Sequence, residues 1–290
     1  MPELPEVETV RRDLETRILH KCITRIQILH SKSVRSDASS FHDHLLQNSI
    51  RSIDRIGKLL IFHLSRGNDV VLCHLKMTGQ LIYDNRGRLS GGGHSLSEDN
   101  KDLKKLPNQW TRIMFTFADK SHLYFNDLRL FGFMKVVSPD QLETTRKKFG
   151  IEPLTPSFTF EAFCIALGKR KTSIKAALLN QSLFAGIGNI YADESCFIAN
   201  ILPNRAVHSL TVSEKKQLFQ AIQKIIHKAI LRRGTTFSYF VDAKGRAGNF
   251  LPFLQVYRRA KKTCRRCKKG IIEKMKVAGR GTHFCPQCQT

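Results

Sequence analysis

The sequence predicts an α+β fold: an N-terminal helix with a β-sandwich, a helical second half, and a β-hairpin zinc finger at the end. Residues 5–19 repeat apolar side chains at helical spacing, and short strand-like runs fill 20–137. Helical spacing returns from about residue 156, and four of the eight cysteines cluster near the C-terminus. These textures divide the chain into 1–137, a linker 138–155, a helical region 156–262 and a cysteine module 263–290.

The 290 residues are 41% hydrophobic, enough for packed cores in more than one domain. No run of 18 apolar residues spans a membrane, and no basic patch followed by an apolar stretch marks a signal peptide. An intracellular, cytoplasmic monomer of bacterial type is therefore expected. Forty-eight Lys and Arg against 24 Asp and Glu leave a net charge of +24, more than solubility needs. A polyanion explains it most simply, nucleic acid before acidic membranes or ribosomes. The remaining cysteines, Cys22, Cys73, Cys164 and Cys196, are scattered in mostly apolar surroundings and read as reduced, packed thiols.

The first helix has Pro5 near its start, Glu6 and Glu8 in its first turn, and Val7, Val10, Leu14 and Ile18 on one face. Ahead of it stands MPELPE. Methionine before the small Pro2 is normally removed, which exposes a secondary amine. A free α-amino group has a pKa of about 8, so part of it is neutral near pH 7 and nucleophilic toward an aldehyde-like carbon. Glu3 and Glu6 are close enough in sequence to move protons beside it. The other reading of MPELPE is an extended lead-in with acids placed for the helix dipole.

The strand-like runs are ITRIQIL, KLLIFHL, DVVLCHLKM, QLIY, RIMFTF, HLYFND and FMKVV, which suggest two packed sheets. The polar stretch 84–107, with three consecutive glycines, reads as an exposed loop. In the second half, SFTFEAFCIALGKR, SIKAALLNQSLF, NIYADESCFIANI and VSEKKQLFQAIQKIIHKAILRR read as helices, the last opened by a Thr211–Glu214 capping box. Between two of them lies AGIGN, where Gly186 and Gly188 permit close approach and Asn189 can cap the next helix. That turn suits a phosphate or tight packing alike. Residues 234–250 again read as a loop.

Cys264, Cys267, Cys285 and Cys288 form two C-x2-C pairs separated by seventeen residues. This is the spacing of two knuckles around one structural Zn2+, against the alternatives of two disulfides or four free thiols. IIEKMKVA and GTHFC supply the hairpin, and Arg280 sits at its turn, where a side chain can project.

MPELPEVETVRR, RIGKLLIFHL, HLKMTG, NDLRLFG, AGIGNIYADE and AGRGTHFCPQCQ together resemble the formamidopyrimidine-DNA glycosylases, a family shared with endonuclease VIII. The match runs nearly end to end. It implies a helix–two-turn–helix domain in the second half, damaged double-stranded DNA as partner, use at the bacterial nucleoid, and removal of oxidised purines such as 8-oxoguanine and formamidopyrimidines. By motif position it implies Pro2 as the Schiff-base nucleophile, Glu3 as general acid/base with Glu6 in support, Lys58 at β-elimination and Arg280 at δ-elimination. It implies Met77, Arg129 and Phe131 as fillers of the gap left by a flipped base; apolar character alone reads Met77 and Phe131 as core. Asn189 would hold the DNA backbone and Lys175 would lie near the lesion. Arg170 and Lys171 would contact DNA, or form a solvated helix end; Tyr257 would face DNA, or pack in the core.

Residues 234–250 resemble the segment that closes over the base in the purine-specific branch. This favours that branch over an endonuclease VIII-like enzyme for oxidised pyrimidines, or a non-catalytic DNA-binding zinc protein. The chain departs from the family pattern at Trp110, about where a DNA-contacting histidine is frequent, and at Arg233 and Arg258, where glycine is usual.

Overall fold

The computed structural model describes residues 1–93, 106–235 and 250–290. The chain forms two compact units, Met1–Arg146 with Arg232–Asn249, and Lys147–Leu231 with Phe250–Thr290.

The first unit opens with α1 (Leu4–Ile18). Val7, Val10, Leu14 and Ile18 recur at helical spacing and all reach the core. The chain continues as β1 (Ile23–Ile28), α2 (Ala38–Leu45), β2 (Ile50–Ile56), β3 (Leu59–Leu64), β4 (Val70–His74), β5 (Gly79–Asn85), β6 (Arg88–Gly93), β7 (Thr111–Phe117), β8 (His122–Asp127) and β9 (Phe133–Val137). These strands make two antiparallel sheets, ordered β1-β7-β8-β5-β6 and β2-β3-β4-β9. Ile113, Phe115, Leu123 and Phe125 of one sheet share a core with Ile53, Phe62, Val71 and Met134 of the other, which is the predicted sandwich. β7 shows why its sequence reads as a strand: TRIMFTF alternates buried and half-buried positions along its whole length.

Two expectations change here. The loop expected over 84–107 begins as structure, because Arg88–Gly93 pair with β5 as β6 and the glycines lie in a strand. Backbone hydrogen bonds, not side chains, hold those glycines in the sheet, so hydropathy carries no signal there. The rest of that stretch, 94–105, lies outside the described residues. The linker expected over 138–155 contains α3 (Pro139–Arg146).

The second unit contains α4 (Phe160–Leu167), α5 (Ile174–Leu179), α6 (Asn189–Ile198), α7 (Val212–Leu231) and the hairpin β10 (Glu273–Val277)–β11 (Arg280–Phe284). α7 starts on the predicted capping box: the Thr211 amide donates to Glu214 Oε2 at 2.8 Å, and the Glu214 amide donates to Thr211 Oγ1 at 3.2 Å. α6 starts differently from expectation. Gly188 is its N-cap and Asn189 is already helical, so the Asn189 side chain is released for another contact. No helix among the described residues is long and apolar enough to cross a membrane.

Candidate functional site

The candidate residues of the first unit gather at α1 and at three sheet turns. Pro2 is buried behind an exposed Met1, and Glu3 is the N-cap of α1. Glu3 and Glu6 form a capping box, in which the Glu3 amide donates to Glu6 Oε2 at 2.9 Å. The other Glu6 oxygen accepts from the Thr235 amide at 2.7 Å and the Thr235 hydroxyl at 2.9 Å. Glu6 thus joins the start of the chain to the first residues of the 234–250 segment, whose remainder, 236–249, lies outside the described residues. Gly234 makes this approach possible: its φ is +77°, and a Cβ there would lie 2.7 Å from Glu6 Oε1.

Lys58 lies in the β2–β3 turn beside Gly57 and is buried. A charged relay supports that turn. Glu8 Oε2 accepts from Arg55 Nε at 3.1 Å, and Arg55 Nη1 donates to the Gly57 carbonyl at 2.8 Å. Arg11 and Arg12 also donate to Glu8. Burial works against ionisation of Glu8, yet hydrogen bonds from Arg11 and Arg12 and the charge of Arg55 outweigh it, and its pKa falls to about 2. Nearby His74 is pushed down to about 3 by burial and then by the cations Lys76, Lys58 and Arg35, so it is neutral at pH 7. Sequence reading missed Glu8, Arg55 and His74 as parts of this region. The spacing of Glu8 to Arg11 and Arg12, three and four residues on a helix, was the available signal.

Met77, Arg129 and Phe131 form one exposed cluster on the β4–β5 and β8–β9 connections. Met77 is 41% and Phe131 44% exposed, which overturns the core reading that their apolar side chains alone gave them. Arg129 Nη1 lies 3.2 Å from Met77 Sδ, and the guanidinium sits 4.6 Å from the Phe131 ring centre. Buried Asp127 organises both connections, accepting from Thr78, from the Arg129 amide at 3.2 Å and from the Gly132 amide at 2.6 Å. Trp110, at the place of the departure from the family pattern, is buried.

In the second unit, Arg170 and Lys171 are exposed beyond the end of α4. Lys175 is not exposed at all. Its ammonium donates to Asp193 Oδ1 at 2.6 Å, Thr282 Oγ1 at 2.8 Å and the Gly281 carbonyl at 3.1 Å. Lys175, expected near the lesion, spends its three donors inside the protein. Asn189 Nδ2 donates to the same Gly281 carbonyl at 3.1 Å, and its Oδ1 has no partner among the described residues.

Arg280 follows the two-residue turn Ala278–Gly279, both at positive φ, and is the exposed first residue of β11. Tyr257 is half-buried, with its ring centre 5.2 Å from that of His283 in an edge-to-face contact. Its segment is anchored by Glu194, a fully buried carboxylate accepting amides from Gln255, Val256 and Tyr257. Burial pushes the Glu194 pKa up, against the pull of those donors. Asp193 and Glu194, consecutive on α6, were also missed; two adjacent acids inside an apolar helix pattern were the sign.

The Sγ atoms of Cys264, Cys267, Cys285 and Cys288 all lie within 4.8 Å of one another. Cys264–Cys288 and Cys267–Cys285 are 3.9 and 3.8 Å apart, too long for disulfides. Gly270 leaves room for this cage, since a Cβ there would meet Cys285 Sγ at 2.8 Å. Four converging thiols with no carboxylate or open position fit one tetrahedral structural zinc.

Residues 1–134 match the family model of the formamidopyrimidine-DNA glycosylase N-terminal domain, and 149–241 that of its H2TH domain. The chain belongs to the formamidopyrimidine-DNA glycosylase family. Residues 261–290 match the zinc finger found in FPG and IleRS, and the four thiols make this the site of a single zinc ion. Formamidopyrimidine-DNA glycosylases of Pelotomaculum thermopropionicum and Listeria innocua are 39% and 38% identical over the whole chain, covering 99% and 100% of those proteins. Two solved structures of the Lactococcus lactis family member are 34% identical. One, a variant with Fapy-dG-containing DNA, has a TM-score of 0.86 with both chains fully covered; the other, with abasic-site DNA, scores 0.85 with 99% of each covered.

The two departures from the family's glycines now have a measure. Arg233 and Arg258 take φ of +62° and +57°, the left-handed region where glycine is at ease. Arg233 compensates through an ion pair with Asp13 of α1.

Proposed function

We propose that the protein excises oxidised purines from duplex DNA and cleaves the resulting abasic site, through a Schiff base on Pro2. The observation that carries this is the chain start: a buried Pro2 followed by a capping box of two carboxylates, in a protein of net charge +24. Once Met1 is removed, the Pro2 amine attacks C1′ of the damaged nucleotide. The C1′–N bond breaks and the base leaves with the proton of the attacking amine; the C1′–O4′ bond then breaks as O4′ takes a proton from Glu3, and an iminium joins Pro2 to the opened sugar. Glu3 supplies and recovers protons, and Glu6 holds the Glu3 amide. Lys58 contacts phosphate and assists β-elimination of the 3′ phosphate, and Arg280 assists δ-elimination of the 5′ phosphate. Met77, Arg129 and Phe131 are exposed as a unit suited to fill a vacated stack. Asn189, Tyr257, Arg170 and Lys171 supply backbone contacts, the last two as exposed cations. Zinc holds the finger that carries Arg280 and takes no chemical part.

Borohydride trapping on duplexes containing 8-oxoguanine, formamidopyrimidine or thymine glycol tests this. The parent protein gives a covalent adduct on the first two in preference to the third, and Pro2→Gly, which keeps only a primary terminal amine, gives much less. A preference for thymine glycol would move the protein to the pyrimidine branch. An adduct undiminished in Pro2→Gly would remove Pro2 from the mechanism.

A further inference from the structure

We infer that Lys175 and Asp193 are positioning residues for Arg280, acting through Thr282. The inference rests on the reading of Arg280 as the δ-elimination residue. Lys175 sits on α5 and Asp193 on α6, and both are wholly buried. Their contacts converge on three consecutive residues after Arg280. Lys175 Nζ donates to the Gly281 carbonyl and the Thr282 hydroxyl, and the His283 amide donates to Asp193 Oδ2 at 2.9 Å. Asn189 adds a second donor to Gly281. The relay then reaches Arg280 itself, because Thr282 Oγ1 donates to the Arg280 carbonyl at 3.1 Å.

The direction of each bond is fixed by chemistry. An ammonium only donates, so Thr282 Oγ1 accepts from Lys175 and its single hydroxyl proton is free for Arg280. Asp193 pairs with the buried ammonium at 2.6 Å and aims it at Gly281 and Thr282. Without the relay, Arg280 would hang on the exposed turn Ala278–Gly279 and one strand pairing with Val277. With it, the backbone of Arg280 is tied to the helices of the same unit while its side chain stays exposed. This gives Lys175 a role that does not require it to reach DNA.

Thr282→Val breaks the relay at its last link without stranding a charge, because Lys175 keeps Asp193 and Gly281. On a duplex with a preformed abasic site, T282V lowers the ratio of δ- to β-elimination product about five-fold, the scale of one lost hydrogen bond. Excision of 8-oxoguanine and zinc content stay at parent values, and the melting temperature falls by only a few degrees, since one buried Lys175 donor loses its acceptor. Thr282→Ser keeps the hydroxyl and restores the ratio, and Asp193→Asn lowers it further. Arg280→Ala is run alongside. A changed ratio in R280A with a parent-like ratio in T282V overturns the inference alone. An unchanged ratio in R280A overturns the reading of Arg280 and the inference with it. Excision, β- and δ-elimination falling together in T282V, with zinc content, would make the relay merely structural and also overturn the inference.

Discussion

The first unit braces its Lys58 turn with charges that still touch water, whereas the second braces its Tyr257 segment with a charge that does not. Glu8 braces the Lys58 turn through Arg55, but it shares its oxygens with Arg11 and with Arg12, whose side chain is 58% exposed. Glu194 braces the Tyr257 segment from full burial, and its partners are backbone amides that have nowhere else to turn. The difference teaches where a lost carboxylate should hurt. Arginines released by Glu8→Ala can swing toward solvent, so the loss is about 1–2 kcal/mol. Glu194→Ala strands three amides inside the unit and costs about 3 kcal/mol or more. Urea unfolding of the two variants at pH 7 measures this; an E8A loss equal to or above that of E194A breaks the contrast.

The contrast also predicts an asymmetry with pH. His74 in the first unit titrates at about 3 when folded, against about 6.5 unfolded. Above pH 6.5 both states are neutral and His74 confers no pH dependence. Below it the unfolded chain gains a proton that the folded chain refuses, so stability falls steadily as pH drops toward 3. Glu8 adds nothing in the upper part of this window. Its stabilisation is complete above its ordinary value of 4.5 and is lost only as pH falls through about 2. The first unit should therefore lose about 1–2 kcal/mol between pH 7 and 5, and His74→Gln should abolish most of that loss. Trp110, the chain's single tryptophan, lies in this unit and reports its unfolding by fluorescence. An H74Q variant with the parent's slope between pH 7 and 5 would remove His74 as the cause.

The same contrast explains what could be read from sequence. The sandwich and helices were legible because their apolar periods survive into burial, as α1 and β7 show. The zinc cage was legible because four cysteines at fixed spacing have few other uses. The polar scaffolds were not. Asp193 and Glu194 find partners on other segments of the chain, as Glu8 does in Arg55 and Asp127 in Thr78, and separation in sequence hides such pairs. Lys175 illustrates the cost: the resemblance implies a place near the lesion, and only the buried partner Asp193 reveals that its ammonium is spent inside the protein. Met77 and Phe131 mislead in the opposite direction, as apolar side chains deliberately left outside.

The smallest effect concerns Arg233, which occupies left-handed backbone. Glycine there would relieve backbone strain of about 1 kcal/mol, offset in part by the greater freedom of an unfolded glycine. Arg233→Gly should gain nothing, because it also forfeits the ion pair with Asp13, a partly exposed contact worth about 0.5–1 kcal/mol. A double-mutant cycle tests this. Asp13→Ala should destabilise the parent, yet have no effect in the R233G background, since its partner is already gone. The Asp13 contact would then be what makes a non-glycine residue tolerable where the 234–250 segment begins. Equal effects of D13A in both backgrounds would detach Asp13 from Arg233 and leave the strain at +62° without compensation from α1.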